Sequence, residues 1–361
     1  MKNMKMKPLS ILALAAFASA AALPALAADF SPALQEVIAG AKKEGKLELQ
    51  WGAGMIGNNN ILKQMGEGMN AMFGTNINLR FTPGPSEPEE LNKVMIAMAS
   101  NQPSPSDIVI NTNQYAGELY QQKGSVPVDW VALMPDRIKP EFVEAGGSVI
   151  RTFTTLPGAI IYNAKLVPFV PKALTDLLKP EWKGKIASTP YAAGWELLTA
   201  NDVWGQEKAL DFARKLSAQV AGLIRCNDLE RVASGEFIAF GPNCGGRDDV
   251  TMKERGAPID EAIPTDFAAE RYYYASLPKN SGDPNAAKLF VLFLESPAGQ
   301  KLIWDGTKTD LHLYPESRFD AVIRNYEKQG VKFQEFTVEW FLKHPESREG
   351  QRKAVPILAG R

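Results

Sequence analysis

Two hydrophobic periods take turns along the chain, and the switches between them mark out its elements. Leu34 to Lys43 repeat apolar residues at helical spacing, Lys46 to Trp51 (KLELQW) alternate at period two, and Asn76 to Phe81 form a second strand. Glu87 to Ala99, with Pro88 in its first turn, reads as a helix, and Asp107 to Ile110 as a short buried strand. Strands that alternate with helices imply parallel βαβ units, whose ligand side is the edge at the carboxyl ends of the strands. That edge carries two polar loops, Gly52 to Asn60 (GAGMIGNNN) and Asn111 to Tyr115 (NTNQY).

From Val126 to Ile150 proline and glycine break every period, and Ser148 to Thr154 then resumes as a strand. Ala159 to Tyr162 and Lys185 to Ser188 are short apolar strands, separated by helical spacing over Ala173 to Leu178 between Pro171 and Pro180. Glu207 to Gln219 aligns Ala209, Leu210, Phe212, Ala213 and Leu216 on one helical side. A strand over Ala221 to Arg225 follows, Asn227 is expected to cap the helix DLERVASGE, and FIAFGP is the next apolar strand. Pro258 to Pro264 and Phe267 to Leu277 are strands, Asp283-Pro284 opens a helix over Asn285 to Leu294, and ESPAGQKLIW continues as another. Glu335 to Arg361 shows no strong period and is expected to be a loosely packed tail.

The first residues change the picture of where the protein works. Lys2, Lys5 and Lys7 precede an apolar run from Pro8 to Ala22, and Ala25-Leu26-Ala27 supplies the small residues of a secretory cleavage site. Ser10, Ser19 and Pro24 interrupt the run, which argues against a membrane anchor, and no cysteine stands at the cleavage point for a lipid. Removing residues 1–27 from 361 leaves 334, suited to two domains, and the formal charge moves from −1 to −4. A mildly acidic chain without a basic block gives no support for nucleic acid as a partner.

Candidate chemistry is thin. Gly52, Gly54 and Gly57 fit GxGxxG, but the following strand ends in Arg80 and Phe81 where an acid for a ribose is expected. The only histidines are His312 and His344, and GxSxG and HExxH are both absent. Paired carboxylates of a secreted hydrolase remain an alternative, because spacing in sequence does not locate acids in space. Cys226 and Cys244, the only cysteines, each follow a strand in a chain bound for an oxidising compartment, so a disulfide between them is expected, with two separate buried thiols as the alternative.

The order "YN" (Tyr162-Asn163), a proline-rich loop, "LTDLL" and "PEWKGKIA", then "RVASGEFIAFGP" before a polar loop, then "SGDPNAAKLFVLFLESPAGQKLI", resembles the periplasmic solute-binding proteins of ABC importers, in particular the branch that includes the ferric-ion-binding proteins. The likeness spans residues 45–318, and the order of the motifs carries it. It implies an α/β fold of type II: two lobes, each a mostly parallel sheet flanked by helices, around a cleft bridged by crossing strands. Residues 28–150 would begin the first lobe, 151–268 form the second, and 269–361 complete the first with a C-terminal extension. The implied protein is a periplasmic monomer without cofactor or catalysis that captures a small molecule by closing its lobes and presents it to a membrane permease.

On that template the ligand residues are Gly54, Asn111, Asn113 and Tyr115 from the first lobe and Tyr191, Gly194, Trp195, Asn243 and Arg247 from the second. Trp51, Tyr115, Tyr191 and Trp195 would serve as walls, and Arg247 as the fork for an anion. In ferric-binding relatives two adjacent tyrosines follow the strand matching Phe237 to Pro242; here Asn243-Cys244 stand there. The run Tyr272 to Tyr274 falls one strand later, where a structural crossing is expected. A small organic anion, a carboxylate or phosphonate, is therefore the expected cargo, with ferric ion or a ferric chelate as the alternative.

Overall fold

Caps and periods set the first lobe. In the computed structural model, which describes residues 30–190 and 194–360, Ser31 accepts from the Leu34 amide and opens α1 (Pro32–Glu44), which ends at Gly45 in the left-handed region. β1 (Lys46–Gly52) buries Leu47, Leu49 and Trp51 and runs parallel to β2 (Asn78–Gly84), with α2 (Asn59–Phe73) between them. Then come α3 (Glu87–Ala99), β3 (Val109–Thr112) and α4 (Asn113–Gln121). The irregular passage holds short pieces, α5 (Trp130–Leu133), β4 (Val143–Glu144) and two single-turn 3-10 helices (Pro140–Phe142 and Ala145–Gly147), as its prolines and glycines foretell. The secretory signal expected over residues 1–27, and Tyr191, lie outside the described residues.

β5 (Val149–Thr155), buried along its whole length, carries the chain across to the second lobe. There β6 (Ile160–Asn163), β7 (Ile186–Ser188), α6 (Trp195–Leu198), α7 (Gly205–Ser217), β8 (Gly222–Leu223), α8 (Glu230–Ala233), β9 (Ala239–Phe240), α9 (Asp248–Glu254) and β10 (Ile259–Ala262) build a sheet in the order β10-β6-β9-β7-β8. Its β9-β7-β8 half is parallel, as expected, while β6 runs antiparallel to both β9 and β10. One face packs on Trp182, Trp195, Phe212 and Leu216, the other on Ile224, Leu229, Phe237 and Phe319. Leu229, not Asn227, occupies the cap position of α8; Asn227 is exposed, and the Asp228 carboxylate accepts the Arg225 amide in the turn ahead of it.

β11 (Ala269–Ser276) returns to the first lobe antiparallel to β5. Its Tyr273–Ser276 end pairs with β3, and its Ala269–Arg271 end with β12 (Gln334–Phe336). α10 (Pro284–Glu295) and α11 (Pro297–Thr307) then complete the first core around Trp51, Met65, Phe290 and Phe293.

The final stretch corrects an expectation. α12 (Phe319–Lys328) buries Phe319 and Ile323 in the second lobe, α13 (Val338–Lys343) buries Val338 and Phe341, and α14 (Glu346–Leu358) lies on α6 and α7. This is a packed segment rather than a loose tail. The inward positions of α14 are Ser347, Gly350, Ala354 and Leu358, so the stripe is made mostly of small residues and gives little hydropathy signal. Small residues let the helix approach closely: a Cβ on Gly350 would fall 2.4 Å from Thr199 Cβ.

Candidate functional site

The lobes meet over one face of β5 and β11, and the side chains there are polar. Glu87 stands at the start of α3, where its Oε2 accepts from the Thr112 amide (2.8 Å) and hydroxyl (2.7 Å), and Tyr273 donates its phenol to Oε1 at 3.1 Å. Tyr273 stacks on Phe153 of the neighbouring crossing strand, ring centroids 4.6 Å apart. Two residues along β11, on the same face by alternation, Arg271 donates to Glu196 Oε1 (3.2 Å) and to the Cys244 carbonyl (2.9 Å), while its Nε–H is buried without a partner. The crossing strand thus places one arginine where α6 and the Cys244 loop of the second lobe both reach it.

The electrostatics are those of a desolvated pocket. Burial pushes the Glu196 carboxyl up, and the Arg271 guanidinium pulls it back. Burial likewise raises the phenols of Tyr115 and Tyr273, and the nearby carboxylate of Glu87 raises both further, so both rings are neutral hydrogen-bonding groups. Two α4 acceptors close by, Asn113 Oδ1 and Gln114 Oε1, are buried and unpartnered. A groove of about 470 Å³ opens beside them, lined by Gln114, Tyr115 and Glu118 of α4 and by Arg348, Gln351 and Arg352 of α14.

The opposite face of the crossing strands is structural. The Tyr272 hydroxyl lies within hydrogen-bond distance of Glu270 (2.6 Å) and Glu335 (2.8 Å), Tyr274 donates to Glu144 (2.7 Å), and Arg151 lies over the Tyr272 ring while pairing with Glu144 and Glu335. Alternation sends the middle tyrosine the other way, and the run serves as a crossing strand, as expected.

The residues singled out from sequence divide. Tyr115 lies in the cluster, and Gly194, at φ 82°, leads directly into α6 with a would-be Cβ 3.5 Å from Pro157 on the chain leaving β5. Asn113 donates weakly to the Thr337 carbonyl (3.4 Å) with its oxygen free. Asn111 turns instead to α3, its amide donating to Glu90 Oε2 at 3.1 Å. Gly54 (φ 84°) turns an exposed loop through a bridge to Gly57, Asn58 caps α2, and Gly57 lies against the Gly306 backbone.

Four residues expected at the cleft have side-chain partners within the protein. Trp51 is fully buried between Phe81 and Phe290, and Trp195 is fully buried on Phe212, because each belongs to an apolar core face. Asn243 spends its side chain on its own loop, donating to the Gly246 carbonyl and accepting from the Cys244 amide. Arg247 pairs through Nη2 with Glu261 in a buried ion pair against the Phe319 ring, while its Nε and Nη1 are buried without a partner. Glu87, Glu196, Arg271 and Gln351 were not anticipated. The signal for Arg271 was present: charges inside the buried run AERYYYAS need partners.

Cys226 and Cys244 are bridged, with Cα atoms 5.9 Å apart. They follow β8 and β9, which flank β7, so the bridge ties two loops at one sheet edge across the strand between them.

Glu90 supplies a pH test. It is almost fully buried, and burial pushes its carboxyl up to about 9, with Glu87 adding to the shift. A raised acid is protonated in the fold and ionised when unfolded, so its stabilising contribution is present below about pH 4.5 and is lost as pH rises toward 9. Glu90→Gln is expected to flatten the fall of urea midpoint across this range and to gain roughly 2–4 kcal/mol at pH 8, as linkage allows. Parallel pH profiles for the variant and the unmodified protein would refute the assignment.

Among the described residues, no three His, Cys, Asp or Glu side chains are placed to hold a metal, and no helix is long and apolar enough to cross a membrane. The chain belongs to the bacterial extracellular solute-binding protein family, whose family model matches residues 104–334, more than half of its length. An uncharacterized protein of Haemophilus influenzae is 30% identical over 145 residues, 37% of this chain and 40% of that one, so the chain spans well under half of this curated relative. In fold it is similar to the periplasmic binding protein AfuA of Actinobacillus pleuropneumoniae, solved with fructose-6-phosphate (TM-score 0.61, 18% identity, 74% of this chain and 85% of that one). It is similar also to iron-bound HitA of Pseudomonas aeruginosa (TM-score 0.65, 18% identity, 86% and 99%). The fold is the two-lobed type II fold, and the family is one of binding proteins rather than enzymes.

Proposed function

We propose that this chain is the periplasmic capture component of an ABC importer, taking a small organic anion that also carries hydroxyl or amino donors. The observation that supports this best is the set of unpartnered buried atoms around the interlobe cluster: a donor on Arg271 Nε and acceptors on Asn113 and Gln114. A carboxylate or phosphoryl group satisfies the first, and hydroxyl or amino donors the others, each buried group otherwise costing roughly 1–3 kcal/mol. Arg271 is the anion partner in this reading because α6 and the Cys244 loop both reach it at the crossing strand. A ligand touching α4 on one side and α6 with the Cys244 loop on the other favours the closed arrangement by its differential affinity, and the closed shape is what a permease would read.

Ferric iron or a ferric chelate is the second reading, carried by the phenol of Tyr273 meeting Glu87 with Tyr115 nearby. It ranks lower because both phenols are held above their ordinary pKa, which opposes forming the phenolates that ferric ion needs.

Native mass spectrometry of unrefolded protein, followed by small-angle scattering with fructose 6-phosphate, phosphonoacetate, citrate and ferric citrate, tests both readings. An organic anion retained in the spectrum, with compaction by at least one of the first three, is the expected result. Compaction by ferric citrate alone, with a visible charge-transfer band lost in Tyr273→Phe, would establish iron instead. No retained solute and no compaction by any probe would remove the capture mechanism.

A further inference from the structure

The C-terminal segment has a foot on each lobe. α13 rests on the first: Phe341 lies against Gly117 of α4, where a Cβ would come within 2.6 Å of the ring, and the Val338 and Glu339 amides donate to Tyr274 (3.2 Å) and Glu144 (3.0 Å). α14 rests on the second: Ala354 and Leu358 join the core of Leu198, Leu210 and Ala213, Gly350 meets Thr199, and Gln206 donates to the Glu346 carbonyl (3.3 Å). The joint between them is His344-Pro345, and it too leans on the second lobe: Trp340 donates to Asp202 at 2.8 Å and His344 lies 3.5 Å from the same carboxylate.

From its seat on the second lobe, α14 reaches back across the cleft. Arg348 pairs with Glu118 at 2.9 Å, and Gln114 donates to Gln351, which donates in turn to Glu196 (3.0 and 3.3 Å). Gln351 therefore links a first-lobe helix to the carboxylate that holds Arg271. α14 is fixed to the second lobe by buried apolar contact and to the first by these few polar contacts, of which Arg348 is partly exposed. When lobes separate, polar contacts of this kind yield before a packed core does.

We infer that α14 is a moving wall of the cleft, and that Arg348 and Gln351 form a latch on α4 that holds the lobes together before any solute arrives. This rests on the hinged-lobe reading and adds a second determinant of closure besides the ligand. Each contact at such exposure shifts the open–closed ratio by a factor of about two to ten. Gln351 is a positioning residue: it acts through Glu196 and Gln114.

The latch can be read without knowing the solute. Because Cys226 and Cys244 are bridged, spin labels on Lys63→Cys and Lys215→Cys, exposed on α2 and α7, report the interlobe distance by pulsed electron resonance. Arg348→Glu with Gln351→Leu is expected to raise the long-distance population of the solute-free protein roughly ten-fold. Glu118→Arg with Arg348→Glu should restore the original distribution, which a merely structural defect would not allow. A distance distribution in Arg348→Glu/Gln351→Leu identical to that of the solute-free original, or no recovery in the charge swap, overturns the latch. If fructose 6-phosphate or citrate still shortens the distance in that case, the hinge stands and only the latch falls; one fixed distance in every variant and with every probe removes both.

Discussion

Arg271→Met is expected to destabilise the protein by roughly 3–5 kcal/mol, because it leaves Glu196 buried without its cation. The pair is 3.2 Å apart with both side chains almost wholly buried, so solvent cannot take over when one partner is removed. With the guanidinium gone, the Glu196 carboxyl, already raised by burial, rises further and takes up a proton in the fold. The loss should therefore be largest above neutrality and shrink as pH falls, since protonation relieves the stranded charge. Urea midpoints at pH 5 and pH 8 check the sign; equal losses at both, or a loss under 1 kcal/mol, would show that the Gln351 amide satisfies Glu196 without the cation. Glu196→Gln in the Arg271→Met background should recover much of the stability while leaving solute capture abolished.

Removing the disulfide has the next largest expected effect. Cys226→Ser with Cys244→Ser releases a cross-link between residues 18 apart in sequence, for which loop-closure entropy predicts about 3 kcal/mol. Denaturant titration of the double variant measures this, and a change under 1 kcal/mol would show that the bridge constrains little. Capture should weaken as well, because the loop held by Cys244 supplies the carbonyl that receives Arg271. Thiol titration of the unfolded, unreduced protein should find no free thiol.

Most of the fold was legible because local signals agreed with global ones. Pro88, Pro284 and Pro297 lie in the first turns of their helices, Ser31 and Asn58 are caps, and the short apolar runs became strands. α14 was missed because Ser347, Gly350 and Ala354 bury a face without looking apolar. The site was legible as a place more than as a set of side chains. Sequence locates a loop at a sheet edge, but the direction of a side chain depends on what packs above and below it. Trp195 and Arg247 follow cleft loops yet turn inward, one to Phe212 and the other to Glu261, whereas Arg271 and Tyr273 sit in a strand that reads as plain structure and face the cleft by alternation.

The path of the chain through its two cores has a consequence for assembly in time. The first core waits for Phe290 and Phe293 on α10, and the second for Phe319 on α12 and for Ala354 and Leu358 on α14. A chain made from its amino terminus therefore has neither lobe finished until α10 has emerged, and the second closes only with α14. Until then α6 and α7 lack the cover of α14, so truncation before α14 exposes that side of the second core instead of trimming an appendage.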